Sequence, residues 1–188
     1  EMQARYTQCR GVELHTDDGR TFLDFLSGYC VYNMGHNHPE ILAELETEMR
    51  RLGPTMLQSD IPALAAELAE QLIALAGGRL RKVYFSSSGS EGIETAIKFT
   101  RAHTGRDGLL FCDGAFHGLT TGALSIMGNN WWREGFGSLL PNTRSVPFGD
   151  LQALERELAT KNYAAFFVEP VQAELGATRA AAFDVMAA

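Results

Sequence analysis

The chain is expected to fold as an α/β domain, a mostly parallel sheet covered by helices, preceded by a small β-rich segment. Three observations lead there. From Arg81 onward, short apolar runs alternate with amphipathic stretches at helical spacing, the rhythm of a parallel sheet covered on both faces. Up to Gly35 the chain instead reads as short strands joined by tight turns. The composition is that of an ordinary globule, with 188 residues of which 45% are apolar, 21% charged and 10% aromatic, so disorder and low complexity are excluded.

Taken in order, residues 12–16 alternate, Asp17-Asp18-Gly19-Arg20 supplies a hairpin turn, and residues 21–25 return. Gly35-His36-Asn37-His38-Pro39-Glu40 opens a helix, with proline in the first turn and an acid behind it. Ile41, Leu42, Leu45, Met49 and Leu52 continue it, and Gly53-Pro54 stops it. A second helix spans residues 63–76, with Leu64, Leu68, Leu72 and Leu75 on one side, ended by Gly77-Gly78. Val83-Tyr84-Phe85 reads as a short buried strand, residues 86–90 as a small-residue loop and residues 92–103 as a helix. Residues 109–112 form the next strand. A Gly-rich, aromatic stretch through Trp131-Trp132 to Phe148 reads as irregular. Residues 151–159 form a helix, and Ala165-Phe166-Phe167-Val168 a strand that ends at Glu169-Pro170. The domain reading is residues 1–60 as the β-rich segment and linking helix, 61–176 as the large domain, and 177–188 as an Ala-rich tail.

A net charge of −7 and a pI near 5.2 repel polyphosphate, so nucleic acid is not an expected partner. The longest apolar stretches are about six residues, far short of the ~20 that cross a membrane, so no membrane partner is expected. No secretory signal is read at the start of the sequence. Cys9, Cys30 and Cys112 are odd in number and widely spaced, which suits buried free thiols and a cytoplasmic location.

Three segments gather the residues that can carry chemistry. In Phe85-Ser86-Ser87-Ser88-Gly89-Ser90-Glu91-Gly92 a strand runs into a helix. The free N–H groups of the first turn and the helix dipole offer an anion site, Gly89 permits close approach, and the serines add hydroxyls. The pattern is neither a Walker loop nor the dinucleotide Gly-x-Gly-x-x-Gly. Spacing alone leaves a second reading open, a Ser/Gly turn that caps an ordinary helix. Asp113-Gly114-Ala115-Phe116-His117-Gly118 stands at the carboxyl end of the next strand, where ligands collect in parallel sheets. Phe116 can stack on a flat heterocycle with His117 beside it, or pack under a glycine turn. Glu169-Pro170-Val171-Gln172-Ala173-Glu174 leaves the last strand with two carboxylates that can touch a ligand, pair with an arginine, or stay solvated. The three segments outline one pocket mouth. His36 and His38 have no cluster to complete a metal set, and His38 reads as a helix-entry residue. The serines lack His–Asp partners in a nucleophile elbow. Trp131-Trp132 reads as a packed or interface pair.

Over about residues 11–176 these motifs resemble the class III pyridoxal-phosphate-dependent aminotransferases of the type I fold. Leu23-Asp24-Phe25-Leu26-Ser27-Gly28-Tyr29 with Asn33-Met34-Gly35-His36-Asn37-His38-Pro39 is similar to the family's N-terminal signature. Residues 87–98 are similar to its phosphate-loop helix, and residues 116–125 and 168–174 complete the series in order. The resemblance implies a type I large domain and pyridoxal 5′-phosphate as cofactor. It implies that Ser88, Gly89 and Ser90 hold the phosphate, that Phe116 stacks on the pyridine ring with His117 at the same site, and that Glu169 lies near the cofactor. It puts Tyr29 on the substrate side. Glu174 matches the acid that pairs with an arginine in ornithine- and aminobutyrate-type members, which favours an ω-amino donor with a 2-oxo acid acceptor. A cytoplasmic homodimer is the expected assembly.

The family's strand bearing Asp-Glu, its Schiff-base lysine and its C-terminal domain find no match in these residues. The three lysines are Lys82 before a strand, Lys98 on the phosphate-loop helix and Lys161 in a loop. The expectation is therefore the N-terminal part of an aminotransferase, with no catalytic residue of its own, inactive by itself and prone to aggregate. Two alternatives remain in view: a non-catalytic binding or dimerisation module, and an aminomutase or racemase of the same family.

Overall fold

The computed structural model describes residues 4–55, 57 and 59–173. The chain divides into two compact units, Glu1–Lys82 and Val83–Ala188.

The first unit opens on an antiparallel sheet in the order β1 (Tyr6–Arg10), β2 (Glu13–Thr16), β3 (Thr21–Leu23). The β2–β3 turn is the Asp-Gly hairpin read from sequence; β1 was not foreseen, because its residues are mostly exposed and carry no apolar alternation. Thr16 Oγ1 accepts from the Arg20 N–H at 3.0 Å and closes the turn. Asp18, bonded first by the Arg20 guanidinium and then by the Thr16 hydroxyl, has its carboxyl pulled down to about 2. Asp24 accepts from the N–H groups of Leu26 and Ser27 at 2.9 and 2.8 Å, and its other oxygen meets His36 Nε2 at 2.7 Å. The paired Gly11–His36 main-chain bonds, both 2.8 Å, tie the His36 segment to the sheet side. Between these anchors α1 (Ser27–Cys30) is a single turn in left-handed conformation, with φ from 51° to 65°. α2 (Pro39–Arg50) has His38 at its N-cap and proline in the first turn, as read from sequence. α3 (Ala63–Ala76) ends on Gly77 at φ 62°, a conformation that glycine adopts without penalty.

In the second unit β4 (Gly108–Cys112) lies between β5 (Thr143–Val146) and β6 (Tyr163–Phe167), both parallel to it. Every residue of β4 is buried because the strand is covered on both faces and bonded on both edges. Its side chains alternate. Leu109 and Phe111 pack with Ile97 of α4 (Gly89–Thr104), Ile126 and Phe167, while Leu110 and Cys112 pack with Val146, Leu154 and Phe166 on the side of α6 (Leu151–Ala159).

The structure corrects three element expectations and one about burial. Residues 83–85 form no strand, and Tyr84 and Phe85 are exposed. Apolar composition does not make a strand without a hydrogen-bonded neighbour, and the three-stranded sheet provides none there. α4 begins at Gly89 rather than Gly92. The stretch expected to be irregular holds α5 (Thr121–Ser125), a 3₁₀ turn at Asn130–Trp132 and β5. Elements of three to five residues are too short to show a period. Finally, the three cysteines are free as expected, but only Cys112 is buried.

Candidate functional site

The site is built at the carboxyl ends of β4 and β6 and at the start of α4. Ser88 is the N-cap of α4, and its Oγ accepts from the Glu91 N–H at 3.2 Å. Glu91 reaches back and accepts from the Ser87 N–H at 2.7 Å. This Ser-x-x-Glu exchange satisfies two donors and holds the loop in place. Gly89 and Ser90, the next residues, have first-turn N–H groups with no partner inside the helix. A Cβ on Gly89 would find nothing within 4 Å, so the space beside Gly89 is open. Ser90 Oγ accepts from the Leu119 N–H at 3.3 Å and keeps its own hydrogen to donate. Those free donors, with the positive end of a helix of 16 residues, suit a dianionic group.

The second segment follows β4. Gly118 has φ 122°, and a Cβ there would overlap the Ser90 hydroxyl and lie 3.0 Å from Ser90 Cα. Glycine is therefore what lets the β4–α5 loop touch the phosphate-type loop. Phe116 is half-buried and forms a T-shaped pair with Trp132, ring centroids 5.4 Å apart, and Trp132 in turn meets Trp131 at 4.6 Å. His117 is 9% exposed, packs edge-on to Phe167, and has no hydrogen-bond partner for Nε2 among the described residues. Burial lowers its pKa from 6.5 to about 4, so the ring is neutral and offers a lone pair or an N–H rather than a charge.

The third segment follows β6. Glu169 Oε1 accepts from the Phe116 N–H at 2.8 Å, and the wholly buried Gln172 donates from Nε2 to the Asp113 carbonyl at 2.8 Å. Within one unit, contacts link Ser90 to Gly118 and Leu119 and Phe116 to Glu169, while Ser88 and Gly89 stand at the start of the same helix as Ser90 and His117 follows Phe116 in the chain. Tyr29 lies in the other unit, on the left-handed turn and largely exposed. Glu174 lies outside the described residues.

Sequence reasoning gave no site role to Glu94 or Gln172 and read Trp132 only as one of a packed or interface pair. Glu94 Oε1 accepts from the N–H groups of Gly122 and Ala123 at 2.7 and 3.2 Å and so caps α5 from α4. Its sequence signal is an acid within residues 87–98, the segment similar to the family's phosphate-loop helix. Among the described residues no group of His, Cys, Asp and Glu is placed to hold a metal, and no helix is long and apolar enough to cross a membrane.

A free anion cradle, an aromatic platform and a buried neutral imidazole at parallel strand ends define a site for a phosphate-bearing planar ligand. The chain belongs to the aminotransferase class-III family, whose model matches residues 1–185. It is similar to aminotransferase PigE of Serratia sp., 40% identical over 172 residues that make up 91% of this chain and 20% of that protein. It is 35% identical over 173 residues to acetylornithine aminotransferase of Bacillus anthracis, covering 91% of this chain and 43% of that one. Among solved structures it is similar to ornithine aminotransferase of Toxoplasma gondii, which holds pyridoxal phosphate at partial occupancy, with a TM-score of 0.82 and 26% identity over 94% of this chain and 43% of that one. The chain thus spans less than half the length of each of these relatives.

Proposed function

We infer that this chain forms the cofactor-phosphate side of a pyridoxal 5′-phosphate aminotransferase that moves an amino group from an amino acid or ornithine-like ω-amine to a 2-oxo acid. The observation that carries the reading is the cradle at the start of α4, open at Gly89 and joined to the Phe116 loop through Ser90 and Gly118. Ser88, Gly89 and Ser90 hold the phosphate with main-chain N–H groups and hydroxyls. Phe116 offers a ring face for stacking, His117 its neutral imidazole beside it, and Glu169 lies next to both through its hold on the Phe116 N–H. The bound cofactor supplies an electron sink for the carbon that loses its proton. Tyr29 and Glu174 are assigned to the substrate side. Support for the ornithine-like donor comes from the ornithine and acetylornithine aminotransferases among the relatives. The assembly is a homodimer, which the exposed leucines of α3 favour, and the location is cytoplasmic, in keeping with three free cysteines.

The test is spectroscopic. The full-length protein mixed with pyridoxal 5′-phosphate is expected to develop the visible absorption of bound cofactor and to change it on adding ornithine. Gly89→Asp, which puts a negative charge into the cradle, is expected to weaken cofactor binding by about tenfold or more. A protein that neither binds the cofactor nor responds to any amino donor overturns the reading.

A further inference from the structure

The loop from Asp113 to Gly118 carries Phe116, whose N–H makes no main-chain hydrogen bond among the described residues. That N–H donates instead to Glu169 Oε1 at 2.8 Å. Further along the same segment Gln172 is 0% exposed, and its Nε2 donates to the Asp113 carbonyl at 2.8 Å. A carbonyl oxygen only accepts, so this contact decides which amide atom faces it. Pro170, between the two, locks its own φ and disfavours helical backbone at Glu169. One segment beyond β6 therefore grips the loop at two points, its first residue and Phe116 itself. On the loop's other side the Gly128 N–H donates to the Ala115 carbonyl at 2.8 Å, and the Phe116 and Trp132 rings meet at an interplanar angle of 81°.

We propose that Gln172 and Glu169 are positioning residues, a two-point clamp on the β4–α5 loop that sets the plane of the Phe116 ring. The proposal rests on the cofactor reading above, because the plane of the ring matters where a flat heterocycle lies against it. Buried polar side chains that fasten main chain hold a platform more tightly than packing does, since each bond has one geometry.

The test uses the full-length protein and two readouts. Amide hydrogen exchange of the cofactor-free protein reports the clamp itself. Gln172→Met, close in volume but without a donor, and Glu169→Leu are each expected to speed exchange across residues 113–119 about tenfold, with α4 unchanged. Glu169→Gln keeps an acceptor and is expected to exchange at the wild-type rate. The second readout is the visible circular dichroism of bound pyridoxal 5′-phosphate per mole bound, which follows ring orientation rather than affinity. Gln172→Met and Glu169→Leu are expected to lose most of its amplitude, and Glu169→Gln to keep it. Unchanged exchange in both disruptive variants overturns the clamp. Faster exchange with wild-type dichroism overturns the positioning of Phe116. Equal losses in Glu169→Gln and Glu169→Leu overturn the part given to Glu169, since charge rather than an acceptor would then matter. A wild-type protein that binds no cofactor overturns the cofactor reading instead, and exchange alone then decides the clamp.

Discussion

His117 packs its ring against Phe167 while its main-chain N–H donates to the Met127 sulfur, and the buried ring pays for that enclosure in proton affinity. With a folded pKa of about 4 against an ordinary 6.5, the unfolded chain takes up a proton in that interval that the folded chain refuses. The group's contribution is therefore fully present above about pH 6.5 and is lost as the pH falls toward 4, by up to about 1.4 kcal/mol per unit. Urea unfolding at a series of pH values is expected to show this slope, and His117→Leu, which cannot take a proton, is expected to flatten it. An unaltered slope in that variant would mean that other groups set the acid sensitivity. Two other residues show how unevenly the site could be read from sequence. Phe-His-Gly was visible as a motif, but the reason for glycine at Gly118 is the Ser90 backbone beside it, a neighbour 28 positions away by subtraction of their numbers. Gln172 stood in a segment singled out from sequence, but nothing there showed that its amide is buried and donates to the Asp113 carbonyl.

At the level of elements, α4 and α6 each satisfy their own N-terminus with local side chains, although the sequence reading began α4 only at residue 92. Ser88 and Glu91 spell the cap of α4 within four residues, and Asp150 caps α6 by accepting from the Ala153 N–H at 2.9 Å. α5 is the opposite case. It has five residues, no side-chain cap of its own, and an N-terminus satisfied by Glu94 from α4. Glu94→Ala strips a carboxylate from two buried N–H groups, a loss of about 2–4 kcal/mol. The expected outcome is a lower urea midpoint with faster amide exchange at Gly122 and Ala123, while α6 is unaffected. Preserved protection at those two amides would show that α5 caps itself. The expected strand at residues 83–85 failed for the related reason that strands need neighbours, which composition does not reveal.

On the scale of the molecule, the second unit has a two-faced core around β4, whereas α3 in the first unit shows Leu64, Leu68, Leu72 and Leu75 at 40% to 85% exposure. Contiguous apolar surface of that kind drives association. The 188-residue chain is expected to sediment above its 20.6 kDa monomer mass at micromolar concentration, and Leu64→Glu with Leu68→Glu to reduce that association. A monodisperse monomer would show that these leucines find cover within the chain. The sequence by itself determined the α/β class, the helices with long periods and the order of the motifs, because each rests on contacts between residues a few positions apart. Tertiary structure alone decided why Gly118 is glycine, that Glu94 caps α5 from α4, and that Glu169 and Gln172 fasten the loop of Phe116. Those facts depend on what a folded chain brings beside each group, and burial, not spacing, sets whether a polar atom finds a partner.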